Sequence, residues 1–560
     1  MTIGVHGGAD PLHQQGSPVT AWTIANTSEV VRTVLTPLGA SCFWGDPCEL
    51  ELRRGYAAMG IFRARDVRIE ASADDRMIAV VYGRLAANVD SFRRMADSMP
   101  GTSGSAMEEQ YFGSVRPEVA DRPTKRRYPA LAVKMPRAAA MLGRRIRAVR
   151  EDHQSWWRRQ VIERPPVEAG AARVLLREAS ERFRRAMCLH MQATALCQAG
   201  YEQIVALAQT AGVPGLELRL ATGFGGIEET ALLKDLWEVS RGRLDEAEFL
   251  ARHGYHGPGE GEPYNPSWRH QPALLTPRLA AYRALGEERA PGAVESDRVQ
   301  QRLDAEAELI ASLGRFGRAR ALPALRAAAS FIRAKETGKV AYTLAIDAGR
   351  CAAHVLGARL HDHGQLADPS DAFFLTLDQL SGPLPAATRD IVAARREQHE
   401  KYSAMKLPPN WVGSPTVRTR ERAPTASARE RTTLRGQPVS GGVVEGRVQV
   451  VTDVDQADDF TPGDILACHV TDPSWMPLLS IAGALVIDVG GPMSHCAIAS
   501  RELGIPAVIS TGDGTEVLTT GDWLRVDADT GEVTVLKNPP TPRGRHTDEL
   551  RPRPVSPAHR

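Results

Sequence analysis

Apolar residues recur three and four apart through most of the first 410 positions. The pattern is clearest in "AARVLLREASERFRRAMCLHMQATALCQAGYEQIVALAQTAG" at 171–212 and "ALPALRAAASFIRAKETGKVAYTLAIDAGRCAAHVLGARL" at 321–360. A period near 3.6 predicts amphipathic helices there, and alanine and arginine, both good helix formers, dominate them. "RRIRAVREDHQSWWRRQ" at 144–160 reads as another helix, with Trp156 and Trp157 on an apolar stripe. After 433 the period changes. "GGVVEGRVQVV", "DILACHV" and "GALVIDV" read as strands, "SHCAIASRELG" as a helix, "PAVIS" as a strand and "WLRVDADTGEVTVL" as a hairpin. The stretch 413–433, "GSPTVRTRERAPTASARERTT", has almost no large apolar residue and reads as a flexible linker. The expected architecture is multidomain: a disordered N-terminus at 1–20, a mainly α-helical domain at 21–412, the linker, a small α/β domain at 434–538 and a Pro- and Arg-rich disordered tail at 539–560.

Composition narrows the function classes. With 560 residues, 42% of them hydrophobic, the chain has material for several cores. A formal net charge of +2 implies no polyanionic partner, so nucleic acid is not expected. Neither a basic-plus-apolar leader nor an apolar run of about 18–20 residues is present, so the expectation is a soluble cytoplasmic protein with no membrane partner. Seven scattered cysteines without a CxxC pair read as reduced thiols. "HDHG" at 361–364 has two histidines but no further ligands at a recognised spacing, so no metal site is expected.

The densest chemistry lies in "GGPMSHCAIASRELGIPAV" at 490–508. His495 follows a glycine turn and opens a helix. Helix N-termini carry unpaired N–H groups and partial positive charge, which suits phosphate and disfavours a cationic imidazole. A neutral imidazole is a competent nucleophile, but a capping or packing histidine fits the same pattern. Ser494 is a candidate N-cap or phosphate donor, and Gly490 and Gly491 permit close backbone approach. Elsewhere, "GYHGPGEGE" at 254–262 offers His256, Glu260 and Glu262 as proton-accepting or orienting groups. That loop fails as a nucleotide cradle, because its two glutamates repel phosphate and Pro258 lacks a donor. Arg333, Lys335, Lys339 and Arg350 recur along one helical stretch and offer either phosphate-neutralising charge or a solvated face.

The 490–508 stretch resembles the signature of the phosphohistidine swivelling domain of phosphoenolpyruvate-utilising enzymes, as do the flanks "GQPVSGGVVEGRVQVV", "GDILACHVTDPSWMPLL" and "VDADTGEV". The resemblance implies that His495 is the phosphorylated histidine, with Gly490, Gly491 and Arg501 as phosphate-binding candidates. Ser500 departs from the alanine usual there. Several segments of the helical region, among them "WTIANTSEVVRTVLTPLGAS" and "FIRAKETGKVAYTLAIDAGR", resemble the acceptor domain of rifampin phosphotransferase-like proteins. Where that family often has G-H-R-G, this chain has Gly254, Tyr255, His256 and Gly257, which leaves the substrate open. No Walker A sequence or other nucleotide-binding half is recognisable. What the resemblance implies is a dikinase-type phosphotransferase component of a split system. A separate ATP-grasp subunit would use ATP and Mg2+ to load His495, leaving AMP and inorganic phosphate. His495 would then pass the phosphoryl group to a small-molecule hydroxyl or carboxyl in the helical domain, with activation for dehydration as a variant. A linker of roughly 20 residues has a mean reach of about 25 Å and suits a histidine that visits two sites. The alternative is a non-catalytic binding or regulatory protein that retains the fold.

Overall fold

Two long helices, Ala169–Ala211 and Arg315–Asp362, form the spine of the N-terminal part of the molecule. The computed structural model describes residues 10–536, apart from 26, 113–114, 214, 226–227, 420–431, 453, 455–456, 458 and 493. Small residues let the two helices approach closely: a Cβ on Gly200 would lie 3.1 Å from the Ala328 backbone. Helices Asp46–Met59 and Tyr128–Trp157 pack against this pair. The core between them holds Phe43, Trp44, Trp157, Phe183 and Phe373. Trp156 and Trp157 are both buried, and the Trp157 indole donates to Asp347 Oδ2 at 2.9 Å. The tryptophan stripe therefore faces inward.

The mainly helical reading of 21–412 misses a four-stranded antiparallel sheet. Its strands, in spatial order, are Ile78–Val81, Arg84–Asn88, Ala21–Thr23 and Asn410–Val412. None exceeds five residues, too short to show a period. The first hairpin turns on Tyr82 and Gly83, at φ 47° and 70°, the left-handed pair that a two-residue turn needs. The Tyr82 ring stacks on His13, with centroids 4.2 Å apart. Residues 10–20, expected to be disordered, instead pack on this part of the fold. Leu12 is fully buried, and the Tyr402 hydroxyl donates to Asp10. The remainder of that expected disorder, 1–9, lies outside the described residues, as does the tail from 537. Of the expected linker, 420–431 lies outside them too. Arg418–Thr419 pairs with Met405–Lys406, and Thr433 starts an edge strand.

The C-terminal domain is an eight-stranded sheet in the order Thr433–Arg435, Glu532–Val535, Trp523–Asp527, Val443–Val450, Ile465–Cys468, Ala484–Ile487, Ala507–Ile509 and Gln437–Ser440. Its four central strands are parallel and the flanking pairs antiparallel. Helix His495–Leu503 follows the parallel strand Ala484–Ile487 and ends at Gly504, at φ 67°. Among the described residues no helix is long and apolar enough to cross a membrane, and no group of three His, Cys, Asp or Glu side chains is placed to hold a metal ion.

The two parts share an apolar core. Leu236, Trp237, Phe249, Trp268 and Tyr282 from the helical part pack with Trp475, Met476, Leu479 and Ala497. The Tyr282 and Ser480 hydroxyls lie 2.6 Å apart, and the Arg32 guanidinium sits 4.6 Å over the Trp475 ring. This packing sets the start of helix His495–Leu503 on one cavity with Lys335 and Lys339 of the long helix Arg315–Asp362.

Candidate functional site

His495 is the first residue of its helix, and Ser494 caps it by accepting the Ala497 N–H at 3.2 Å. The turn before it is held rigidly. Asp488 accepts from the Thr511 and Thr515 hydroxyls, and Arg501 Nη2 donates to the Pro492 carbonyl at 2.7 Å. Arg501 thus braces the loop. Its own carbonyl accepts from Thr222, while Glu502 accepts the Phe224 N–H, so the end of the helix is tied to the helical domain.

The His495 ring is 7% exposed and its two nitrogens differ. Nδ1 lies 3.2 Å from the Thr471 hydroxyl, whereas Nε2 is buried without a hydrogen-bond partner among the described residues. The hydroxyl also bonds the Cys496 thiol. With the proton on Nδ1 and donated to Thr471, Nε2 keeps its lone pair. The imidazole pKa is held well below its ordinary value, first by burial and then by the positive charge of Lys339 and Lys335, against the pull of Glu336. The ring is therefore neutral at neutral pH. In that tautomer Nε2 carries no proton and faces no hydrogen-bond partner among the described residues.

His495 lines a cavity of about 240 Å³ together with Gly491, Ser494, Glu29, Lys335 and Lys339. Glu29, half-buried on the wall, accepts the His495 backbone N–H at 3.1 Å. The sequence reading expects the first helical turn to offer its N–H groups to phosphate. In this arrangement Glu29 takes one and Ser494 another, and the cations come from the long helix. Burial raises the Glu29 pKa to about 7, although Lys335, the His495 N–H and Lys339 oppose the shift. Behind them lies a paired carboxylate. Burial and the neighbouring Glu336 push Glu229 up, whereas Lys335, Lys339 and the hydrogen bond from Glu229 hold Glu336 down despite its burial. Lys335 Nζ stands 3.5 Å from Glu336 and Lys339 Nζ 4.0 Å from Glu229.

The other sequence candidates fall at different depths. His256 Nδ1 and Glu260 Oε2 are 2.6 Å apart, both buried, and they line a crevice of about 10 Å³ with Glu229, Lys339 and Pro473. Such a space scarcely admits one water molecule. The pair stands behind Lys339, and Gly259 N–H donates to Asp472 across the domain contact. Glu262, a candidate base, accepts from the Thr36 N–H and hydroxyl and from Tyr264 N–H, and so fixes the turn that starts helix Pro37–Gly39. Arg350 is fully buried, paired with Asp347 at 2.6 Å and reaching the carbonyls of Glu260 and Glu262. Arg333 donates to the Phe224 carbonyl. None of these three side chains lines the cavity at His495. Lys335 does, one helical turn before Lys339 on the same face. Glu29, Thr471, Glu229 and Glu336 have no residue-type signal of their own. Glu29, Thr471 and Glu336 lie inside segments that carry the family resemblance, in "WTIANTSEVV", "HVTDP" and "FIRAKETGKV".

Residues 460–531 match the family model of the PEP-utilising enzyme mobile domain, which contains His495 and Thr471. Residues 227–336 match the rifampicin phosphotransferase fourth domain, which includes Glu229, Lys335 and Glu336. The resemblance to PEP-utilising enzymes stands. A rifampicin phosphotransferase from a Streptomyces species is 29% identical over 406 residues, 70% of this chain and 44% of that protein. The uncharacterized phosphotransferase YvkC of Bacillus subtilis is 33% identical over 190 residues, 32% of this chain and 23% of its own length. An uncharacterized protein of Mycobacterium tuberculosis is 34% identical over 223 residues, 39% of this chain and 25% of its length. The chain spans less than half the length of each of these relatives. Among solved structures, aconitase X of Thermococcus kodakaraensis overlays on 19% of this chain and all of its own, with 22% identity and a TM-score of 0.16, too low to bear on the fold.

Proposed function

We propose that the chain is a phosphoryl carrier and transferase in which His495 Nε2 takes a phosphoryl group and gives it to a small-molecule hydroxyl in the cavity of the helical domain. The family matches support a phosphotransfer role, and the single observation that carries the assignment to His495 is its bare Nε2 beside Lys335 and Lys339. In the transfer step the Nε2–P bond breaks as the acceptor O–P bond forms, and the electron pair returns to the neutral ring. The acceptor proton passes to the Glu29 carboxylate. Lys335 and Lys339 neutralise the charge spreading over the phosphoryl oxygens. Thr471 fixes the tautomer, and the Glu229–Glu336 pair fixes the lysines. His256 and Glu260 are positioning residues behind Lys339.

The donor in this reading is ATP with Mg2+ held on an ATP-grasp module, a separate subunit that leaves AMP and inorganic phosphate. The residues described here do not fit that group: the glycine-rich loop is closed by the His256–Glu260 pair, and no donor set for a metal is assembled. The phosphate product and the dehydrated product are separated by product analysis. The test is to incubate the chain with an ATP-grasp partner and ATP labelled at the β-phosphate. Acid-labile label on the chain, lost in His495→Ala, is the expected result. Label that persists in His495→Ala refutes the assignment.

A further inference from the structure

Most of the cavity wall is apolar. Leu52, Ile78, Leu85, Phe92, Met187 and Met191 line it, contributed by helix Asp46–Met59, by both strands of the first hairpin, by helix Val89–Ala96 and by helix Ala169–Ala211. Five separate elements thus line the space, so it is built by the fold itself. The wall also contains polar groups from the helix Ala169–Ala211, several of whose atoms are already bonded, and hydroxyls of Thr27, Tyr56 and Tyr342. His190 Nδ1 bonds the Lys335 carbonyl at 3.1 Å, the Thr194 hydroxyl donates to the His190 carbonyl at 2.9 Å, and Gln198 donates to Glu202 at 3.2 Å. An acceptor rich in hydroxyls would set most of them against apolar side chains, where they go unpaired. The charged groups of the lining, Glu29, Lys335 and Lys339, cluster around His495.

Size sets the second limit. A volume of about 240 Å³ lies below the roughly 300–1,000 Å³ that enclose drug-sized ligands. It corresponds to about eight water volumes, or roughly a dozen non-hydrogen atoms of a packed organic ligand. A macrocycle does not fit this closed arrangement.

Resting on the phosphotransfer reading above, we infer that the acceptor is a neutral alcohol or phenol with an apolar body of about a dozen non-hydrogen atoms and a single hydroxyl directed at His495. The apolar body supplies the binding, and the hydroxyl end meets Glu29, Lys335 and Lys339. Sugars, whose hydroxyls outnumber the polar groups of the wall, are excluded as acceptors, and a macrocycle exceeds the volume.

The test uses the full chain with carbon-13 in its methionine methyl groups, with Met187 and Met191 assigned through conservative leucine variants. The probe is 1-naphthalenemethanol, with pyruvate, glucose and rifampicin as comparisons. Expected is a shift of the Met187 and Met191 resonances that saturates with the alcohol and leaves Met476 in place. Pyruvate and glucose produce none at tenfold higher concentration. No shift at Met187 and Met191 up to the solubility limit of the alcohol overturns the inference, as does an equal shift with pyruvate or glucose. Equal shifts with rifampicin overturn the size limit. Intact shifts with no labelling of the wild-type chain would count against phosphotransfer and leave the ligand class standing.

Discussion

At the scale of single residues, the site works by keeping one ring nitrogen bare and charging its surroundings. Thr471→Val removes the partner of Nδ1 with little change of volume. The expected outcome is a tenfold to hundredfold slower phosphorylation of the chain by phosphoramidate, with phosphorus NMR showing product on both ring nitrogens instead of Nε2 alone. Glu29 gives a pH signature. The carboxylate is the proton-accepting form and its pKa is raised to about 7, so transfer to the acceptor rises as pH rises through about 7. Glu29→Gln is expected to lower the rate about a hundredfold, as for the loss of a general base, and to flatten that limb of the pH–rate profile. Docking of the two domains responds with the opposite sign. The buried arrangement favours the protonated carboxyl, so its advantage is lost as pH climbs from the ordinary 4.5 through about 7. His495, Ser494 and Lys339 were legible because a local motif or a helical repeat marks them. Glu29 and Thr471 were not, since each acquires meaning only through a neighbour 466 or 24 residues away.

At the scale of elements, periodicity found what length allows it to find. The helices read at 171–212 and 321–360 are present as Ala169–Ala211 and Arg315–Asp362, and every strand read after 433 falls where the alternation places it. The short sheet strands escaped because three residues carry no period, and their partners lie far along the chain. Arg333 and Arg350 look equivalent to Lys335 and Lys339 in sequence. Arg333, two residues from Lys335, points to the other side of the helix and bonds the Phe224 carbonyl, whereas Arg350 keeps the face of Lys339 but lies about three turns further on, in the core with Asp347. The same long helix is locked at its C-terminal end by a glycine. A Cβ on Gly357 would stand 1.9 Å from the Pro369 carbonyl oxygen, which belongs to the backbone and has little room to retreat. Gly357→Ala is expected to cost about 2–3 kcal/mol by overpacking. A fall of several degrees in Tm by calorimetry checks it, and an unchanged Tm refutes the close approach.

At the scale of the whole molecule, the two domains meet in the arrangement that sets His495 on the cavity of the helical domain. Their shared core buries Trp475, Met476 and Leu479, which a domain that leaves must uncover or cover elsewhere. Arg32 reaches across to the Trp475 ring and the Thr452 carbonyl. Arg32→Ala removes a contact of about 0.5–2 kcal/mol. Amide exchange across Trp475–Leu479 is expected to quicken several-fold, with the strands of the α/β sheet unaffected. Exchange that stays at the wild-type rate refutes that role. Domain order was legible from the change of period near 433, whereas the docking face was not, because an apolar face that covers a partner reads like one that fills a core. One pairing has a wider consequence. Ala21 stands opposite Val412, so segments from the two ends of the helical part run side by side. Chain that enters and leaves a unit at neighbouring points of its surface is the arrangement that tolerates splicing of one unit into another polypeptide.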